Sequence, residues 1–173
     1  TFIAHDPGVN HGIFGSRTGT SVEAFNLFWI GAGIRADYAN TTYATSVDPV
    51  EGEQVHVVMN NAGIYINGVL DKSFTGPGTG TAIHPLYLFT VNTGGIANTA
   101  PSSCEIVNFK VTQDGVVVRN MRPISGGRFY DSIAGDIYSN PGSGTLITSD
   151  PLVPAFPEPM RAVGTFDGEV EKI

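Results

Sequence analysis

Apolar and polar residues alternate in short runs along the chain, and this alternation predicts β-strands rather than helices. Val55, Val57 and Met59 fall on one face of residues 54–60, with His56 and Asn60 on the other, which is the period-two pattern of a strand with one buried face. Residues 24–30 are rich in aromatic and branched side chains, and a glycine-bearing segment separates them from residues 34–38. This arrangement predicts a hairpin.

Turn residues separate the predicted strands. Asn67-Gly68 and Asp114-Gly115 each stand between two apolar segments, and both pairs favour the two-residue hairpin turn because their residues tolerate positive φ. Further strands are predicted over residues 86–91 and 105–111. Short strands are also expected at 128–131, 136–138 and 145–147, and loops at 73–83 and 93–103.

Composition strengthens the β interpretation. Only 14% of the residues are charged, and the chain contains 22 Gly and 11 Pro, which indicates a folded domain with many tight turns. We expect one all-β domain over residues 1–149. Four prolines between 151 and 159 predict a Pro-rich tail or strap over 150–173, to which residues 163–173 could add an edge hairpin.

Charge and cysteine content exclude several classes of function. The net charge is −7, whereas binding to a phosphate backbone needs clustered Lys and Arg, so we expect no nucleic-acid partner. No apolar run reaches the ~18 residues that span a bilayer, so no membrane insertion is expected. Cys104 is the only cysteine, which rules out an intrachain disulfide and favours a structural thiol. Because the sequence starts at Thr1, we expect it to be part of a larger protein.

The order of the segments resembles the laminin-G-like branch of the concanavalin A-like lectin and glucanase superfamily, in its bacterial or phage type. The segments that carry the resemblance in the first half are GIFGSR at 12–17, FNLFW at 25–29, IRADY at 34–38, VHVVM at 55–59 and GIYINGVL at 63–70. Those in the second half are DGVVVRNMRPI at 114–124, FYD at 129–131 and IYSNPGSGT at 137–145.

The resemblance implies a two-sheet antiparallel jelly-roll sandwich that binds glycans or cell surfaces. It also implies an extracellular, cell-surface or virion location. The family usually has one or two strands before the segment that resembles residues 12–17, and here only eleven residues precede it. Either the two ends of the chain supply the missing edge, or another chain pairs with it.

Hydrolysis of glycans is not expected. Glucanases with this kind of sandwich place alternating carboxylates on one strand, and no such segment occurs. Glu51 and Glu53 have the right spacing, but Pro49 and Gly52 beside them predict a solvated turn. The chain is therefore predicted not to be an enzyme.

Calcium is the one cofactor that the sequence suggests. Lectin-like sandwiches often hold this ion on loop oxygens, and Asp131, Asp136 and Asn140 could converge beside two short strands. Ordinary solvated acidic turns are the competing interpretation.

Sugar recognition needs an aromatic face together with amide, carboxylate or guanidinium groups for the hydroxyls. Trp29 lies in a dense apolar strand and is predicted to be core. Tyr65 and Asn67 share the strand face opposite Ile64 and Ile66, so we expect them to face outward. The predicted ligand-binding residues are Tyr38, Asn40, Tyr43, Tyr65 and Asn67.

The sequence therefore predicts a non-catalytic carbohydrate-binding or adhesion module, with a glycan or polysaccharide as its partner. A structural or assembly domain of a phage or surface particle, without a sugar site, is the alternative from a different class. It would pack as a homo-oligomer or against other parts of a larger assembly. A degenerate glycoside hydrolase is the second alternative.

Overall fold

A computed structural model describes residues 1–5, 11–19, 24–30, 33–39, 41–74, 83–97 and 104–139. Within these ranges the secondary structure is all β-strand, with no helix. The strands before residue 75 are β1 (Phe2–Ala4), β2 (His11–Arg17), β3 (Phe25–Ile30), β4 (Gly33–Tyr38), β5 (Thr41–Ala44), β6 (Gln54–Val55), β7 (Val57–Asn60), β8 (Gly63–Ile66) and β9 (Val69–Ser73). Those after it are β10 (Tyr87–Leu88), β11 (Asn92–Thr93), β12 (Ile96–Ala97), β13 (Cys104–Ile106), β14 (Phe109–Gln113), β15 (Val116–Ile124), β16 (Arg128–Asp131) and β17 (Ile137–Ser139). The all-β prediction is confirmed.

The chain divides into two compact units, residues 1–105 and 106–173. The predicted domain boundary at 149 and the tail after it lie outside the described residues, and so does the strand predicted at 145–147. These remain predictions.

Unit 1 is built around one large sheet with the strand order β12-β11-β2-β3-β4-β5, and β10 also pairs with β2. Strands β2 to β5 form an antiparallel meander, and β11 runs parallel to β2. A second sheet has the order β7-β8-β9, and a third the order β13-β1-β6.

One hydrophobic core lies within unit 1. Trp29 is fully buried in it, which confirms the prediction from its apolar surroundings. Residues from the large sheet and from β8 belong to the same cluster, so the period-two alternation buries one side of each strand. The buried members are Phe2, Ile13, Leu27, Trp29, Ile34, Ala36, Tyr43, Val55, Ile64, Ile66 and Phe74.

The two predicted hairpin turns are confirmed. Asn67 and Gly68 have φ of 51° and 84°, and Asp114 and Gly115 have φ of 50° and 79°. Consecutive positive φ values give the turn a twist that matches the strands on either side. These turns connect β8 to β9 and β14 to β15.

The alternating segment around Val55 is two strands rather than one. Val55 pairs with Phe2 in the third sheet, whereas β7 pairs with β8. The break falls at His56, whose backbone N–H donates to Asn67 Oδ1 and whose carbonyl accepts from the Asn67 N–H, both at 2.8 Å. The backbone of His56 is therefore bonded to the turn residue Asn67, and this interrupts the single strand that the alternation predicted.

Three other predicted boundaries also change. The strand expected over 105–111 is interrupted at Val107 and Asn108, and the one over 86–91 is reduced to β10. The expected loop at 93–103 contains a short hairpin instead. Its strands β11 and β12 meet at Gly94 and Gly95, whose φ values are 61° and 92°.

Unit 2 contains the antiparallel meander β14-β15-β16-β17. Within the described part of this unit the buried apolar residues are Ile106, Ile124, Phe129 and Tyr130. The predicted strands at 128–131 and 136–138 correspond to β16 and β17.

Candidate ligand-binding face

A row of small and polar residues crosses four strands of the large sheet. Gly15 lies opposite Asn26, Asn26 opposite Asp37, and Asp37 opposite Thr42. Residues that face each other across a ladder point to the same side of the sheet. We call this side, which also carries Arg17, Phe28 and Arg35, the polar face.

Asp37 is the centre of the row. Its side chain is fully buried, and Oδ2 accepts a hydrogen bond of 3.0 Å from Asn26 Nδ2. Oδ1 accepts bonds from Thr42 Oγ1 at 2.6 Å and from Arg35 Nη2 at 3.2 Å. A buried carboxylate that is both paired and hydrogen-bonded avoids the cost of an isolated charge, so these partners hold it in a fixed position.

Two arginines lie on the same face with N–H groups to spare. Arg35 uses Nε and Nη2 on Asp37 and Thr42, and among the described residues nothing is hydrogen-bonded to its Nη1. The Nε of Arg17 donates to Thr93 Oγ1 at 2.9 Å. Its Cζ lies 5.4 Å from the centroid of the Phe28 ring, within cation–π distance.

The side-chain oxygen of Asn26, Oδ1, accepts no hydrogen bond from the described residues. The residue is fully buried. The oxygen faces Gly15, where a Cβ would stand only 2.5 Å from it. The absence of a side chain at position 15 is therefore what leaves room for the Asn26 amide.

Tyr38 and Tyr43, two of the predicted sugar-binding residues, point to the other side of the sheet. Tyr43 is only 6% exposed, and its ring packs on Phe74 with centroids 4.0 Å apart. Tyr38 stacks on the same ring at 5.0 Å and donates its hydroxyl hydrogen bond to Asn61 Oδ1. Burial raises the pKa of Tyr38. Both tyrosines thus contribute to the core cluster or pack against it.

Tyr65 and Asn67 face away from this core, as predicted. Ile64 and Ile66 are buried, whereas Tyr65 is half-buried and Asn67 exposed. The Oδ1 of Asn67 already accepts from the His56 backbone, which fixes the side chain and leaves its amide nitrogen as a donor for a ligand. Asn40, the fifth predicted residue, lies outside the described residues.

The predicted calcium ligands are described only in part, because Asn140 lies outside the described residues. Asp136 is exposed, and its backbone carbonyl accepts from the Asp131 N–H at 2.9 Å. In the described part of the chain no group of three or more His, Cys, Asp or Glu could hold a metal ion. The calcium site remains a prediction.

Asp131 itself is fully buried in unit 2 and is held by the backbone. Its Oδ1 accepts from the N–H groups of Asn120 and Ile133, both at 3.0 Å, and its Oδ2 lies 3.4 Å from Arg119 Nε. Burial alone would raise the pKa of Asp131. The backbone N–H groups of Asn120, Ile133 and Ala134, together with Arg119, outweigh that effect and lower the pKa.

The two glutamates and the cysteine considered in the sequence analysis lie in a solvated turn and beside the core, respectively. Glu51 and Glu53 are exposed beside a turn closed by the hydrogen bond from Glu53 N to Val50 O at 3.1 Å. Cys104 is half-buried and packs against the core of unit 1.

The residues of the polar face were not among the predicted site residues. Their signal was nevertheless present, because Arg35 and Asp37 alternate with Ile34, Ala36 and Tyr38 along β4. Polar residues at alternate positions of a strand share one side of the sheet. The same alternation that places Tyr38 beside the core places Asp37 opposite it.

None of the family models, curated proteins or solved structures compared with this chain matches it. The described residues contain no helix with the length and apolar character that a membrane crossing requires.

Proposed function

We propose that this chain is a non-catalytic carbohydrate-binding module and that the polar face of the large sheet is its contact surface. The observation that supports this proposal is the placement of Asp37, Asn26, Thr42 and Arg35 in one hydrogen-bonded group on the side of the sheet opposite the core. Sugar hydroxyls are bound by such carboxylate, amide and guanidinium groups when these are held in fixed positions.

The accessible members of this group are the ones that would touch the sugar. Thr42 is exposed, and the Arg35 side chain is 32% exposed. Asp37 and Asn26 lie beneath them and fix their orientation. This arrangement of exposed contact residues above buried supporting residues suits shallow, weak recognition of a sugar, which gains strength from multivalent display.

The finer parts of the proposal are a jelly-roll sandwich of the concanavalin A-like, laminin-G-like kind and an adhesion role on a bacterial surface or phage particle. They are supported by the order of segments in the sequence. The all-β secondary structure with several antiparallel sheets is consistent with them.

The test is binding of the purified chain to a glycan array, with two variants that separate the two candidate surfaces. We expect Arg35→Gln to abolish a specific signal that Tyr65→Ala preserves. The opposite result would move the site to the outward face of β8. Circular dichroism and thermal unfolding of both variants control for loss of fold. The absence of any glycan signal for the wild-type chain would refute the proposal.

A structural or assembly role is the second candidate, and an exposed apolar row supports it. Val58 lies opposite Tyr65, and Tyr65 opposite Leu70, on the outward side of the second sheet. Val58 and Leu70 are both exposed. Such a patch would be covered when chains associate. Light scattering that gives a stable oligomer, converted to monomer by Leu70→Ser, would favour this function.

A further inference from the structure

The two arginines of the polar face lie beside one aromatic ring. Arg35 faces Phe28 directly across the β3–β4 ladder, where neighbouring strands are about 5 Å apart. The Cζ of Arg17 lies 5.4 Å from the same ring. Arg17 follows Gly15 by two residues in β2, so it lies on the same side of the sheet as Phe28 and Arg35. The Arg17 guanidinium group therefore lies against the ring, and Arg35 stands opposite the ring's residue on the next strand.

Only part of this positive charge is neutralised locally. Arg35 forms an ion pair with Asp37 at 3.2 Å. Arg17 has a hydroxyl and an aromatic ring as its partners, without a carboxylate among the described residues. Arg17, Asp37 and Arg35 on the polar face thus carry two positive charges and one negative charge, in a chain whose net charge is −7.

The remaining N–H donors also have a specific geometry. In the described part of the chain no hydrogen bond is made to Nη1 of Arg35 or to either terminal nitrogen of Arg17. A guanidinium group presents such donors in a planar fork that matches the two oxygens of an oxyanion, whereas a neutral hydroxyl has one oxygen and no charge to pair with the fork.

The geometry points to an anionic sugar as the ligand of the polar face, with its carboxylate or sulfate group bound by Arg17 and Arg35. This inference rests on the proposed carbohydrate-binding function and deepens it by naming the substrate class. Asp37 and Thr42 hold the Arg35 fork in place. The net charge of −7 repels an anionic sugar at long range. This repulsion is small, because charges separated by more than the screening length of about 8 Å interact weakly at physiological ionic strength.

The test measures affinity for two matched pairs of polysaccharides by biolayer interferometry. Polygalacturonate and its fully methyl-esterified form differ only in the carboxylate charge, and dextran sulfate and dextran differ only in the sulfate. We expect the charged member of one pair to bind at least about tenfold more tightly than its neutral partner, the effect of one charge-assisted hydrogen bond. The pair that shows the difference identifies the anionic group.

Variants connect this preference to the two arginines. Arg17→Gln and Arg35→Gln should each reduce affinity for the charged polysaccharide about tenfold or more, whereas Lys72→Gln, an exposed residue of β9, should change it less than about twofold. Arg17→Gln leaves the hydrogen bonds of Asp37 intact, so it reports on binding even where Arg35→Gln impairs folding.

Three results would overturn the inference. Equal binding of the charged and neutral members of both pairs, abolished by Arg35→Gln, would refute the anionic ligand while leaving the carbohydrate function in place. Equal losses with Lys72→Gln and Arg17→Gln would show a general charge effect. If no polysaccharide of either pair binds, the anionic ligand is also refuted, and the glycan array then decides whether the carbohydrate function falls with it.

Discussion

Replacing Gly15 with alanine tests whether the polar face is as tightly packed as the structure indicates. The new Cβ would stand 2.5 Å from Asn26 Oδ1, 2.9 Å from Asn26 Cβ and 3.0 Å from Asn26 Cα. The amide could rotate away, but the Cα belongs to the ladder between β2 and β3 and cannot move independently. Relief of the contact therefore displaces the Asn26 side chain, which donates to Asp37 Oδ2 at 3.0 Å.

The expected cost has two parts. Overpacking a buried site costs about 1 to 3 kcal/mol, and depriving a buried carboxylate of one hydrogen bond adds about 1 to 3 kcal/mol. We expect Gly15→Ala to lower the free energy of unfolding by roughly 2 to 6 kcal/mol, or the melting temperature by roughly 4 to 24 °C for a chain of this size.

The matched control is Gly33→Ala, which adds the same methyl group to strand β4 of the same sheet. Its Cβ would meet only Asp48 Oδ1, at an ordinary 3.7 Å. That variant should be neutral or slightly stabilising, by about 0.4 to 1 kcal/mol, because alanine restricts the unfolded chain. Urea unfolding measures both free energies. If the two variants differ by less than about 0.5 kcal/mol, Asn26 is not held against Gly15 and the packing argument is wrong.

Three further predictions concern stability. Because the pKa of Asp131 is lowered in the folded state, its contribution is present above the unfolded pKa of about 3.9 and is lost as the pH falls through the folded value. Urea unfolding at several pH values should therefore show a smaller acid loss for Asp131→Asn than for the wild type, and equal slopes would contradict this. The buried Asn92 donates to Pro85 O and accepts from Gly95 N, both at 2.8 Å, so Asn92→Ala should cost about 2 kcal/mol in the same assay; a cost below about 0.5 kcal/mol would show these bonds to be dispensable. Gly68 has φ of 84° with open space around it, so Gly68→Val should lower the melting temperature through backbone strain of about 1 to 2 kcal/mol, and an unchanged melting temperature would contradict the turn geometry.

Local patterns were sufficient for part of the strands and turns of this chain. Alternation, a glycine-bearing segment and the Asn-Gly and Asp-Gly pairs predicted β3, β4, β8, β9, β15 and part of β14, because strand periodicity and turn φ values depend on neighbouring residues. They could not show that the strand around Val55 divides between two sheets. That division depends on Asn67, eleven residues away from His56, whose side chain and backbone both bond to it.

The side of a strand that becomes core was harder to predict than the strand itself. On β4 both sides carry plausible residues, with Tyr38 on one and Asp37 on the other. An aromatic ring near a loop suggested a sugar platform, but Phe74, more than thirty residues away in the sequence, covers Tyr38 and Tyr43. Which face is covered is decided by distant elements, and a single sequence does not reveal them.

The polar face also shows why binding and folding are difficult to separate at some of its residues and easy at others. Asp37 is fully buried and depends on Asn26, Thr42 and Arg35, so truncating any one of these leaves a buried carboxylate short of partners. Breaking such a group typically destabilises a protein by several kcal/mol. A loss of binding in those variants would therefore be mixed with a loss of structure.

Arg17 is different, because its described partners are one hydroxyl and one aromatic ring near the surface of the sheet. Removing its charge leaves no buried ion unpaired, and a cation–π contact between a half-buried arginine and the buried Phe28 ring is worth about 0.5 to 2 kcal/mol. The cost of Arg17→Gln should therefore stay below about 2 kcal/mol in unfolding experiments if Arg17 serves to meet a ligand. A large stability loss in Arg17→Gln would instead assign it to the fold, and the polar face would then be a covered structural layer rather than a binding surface.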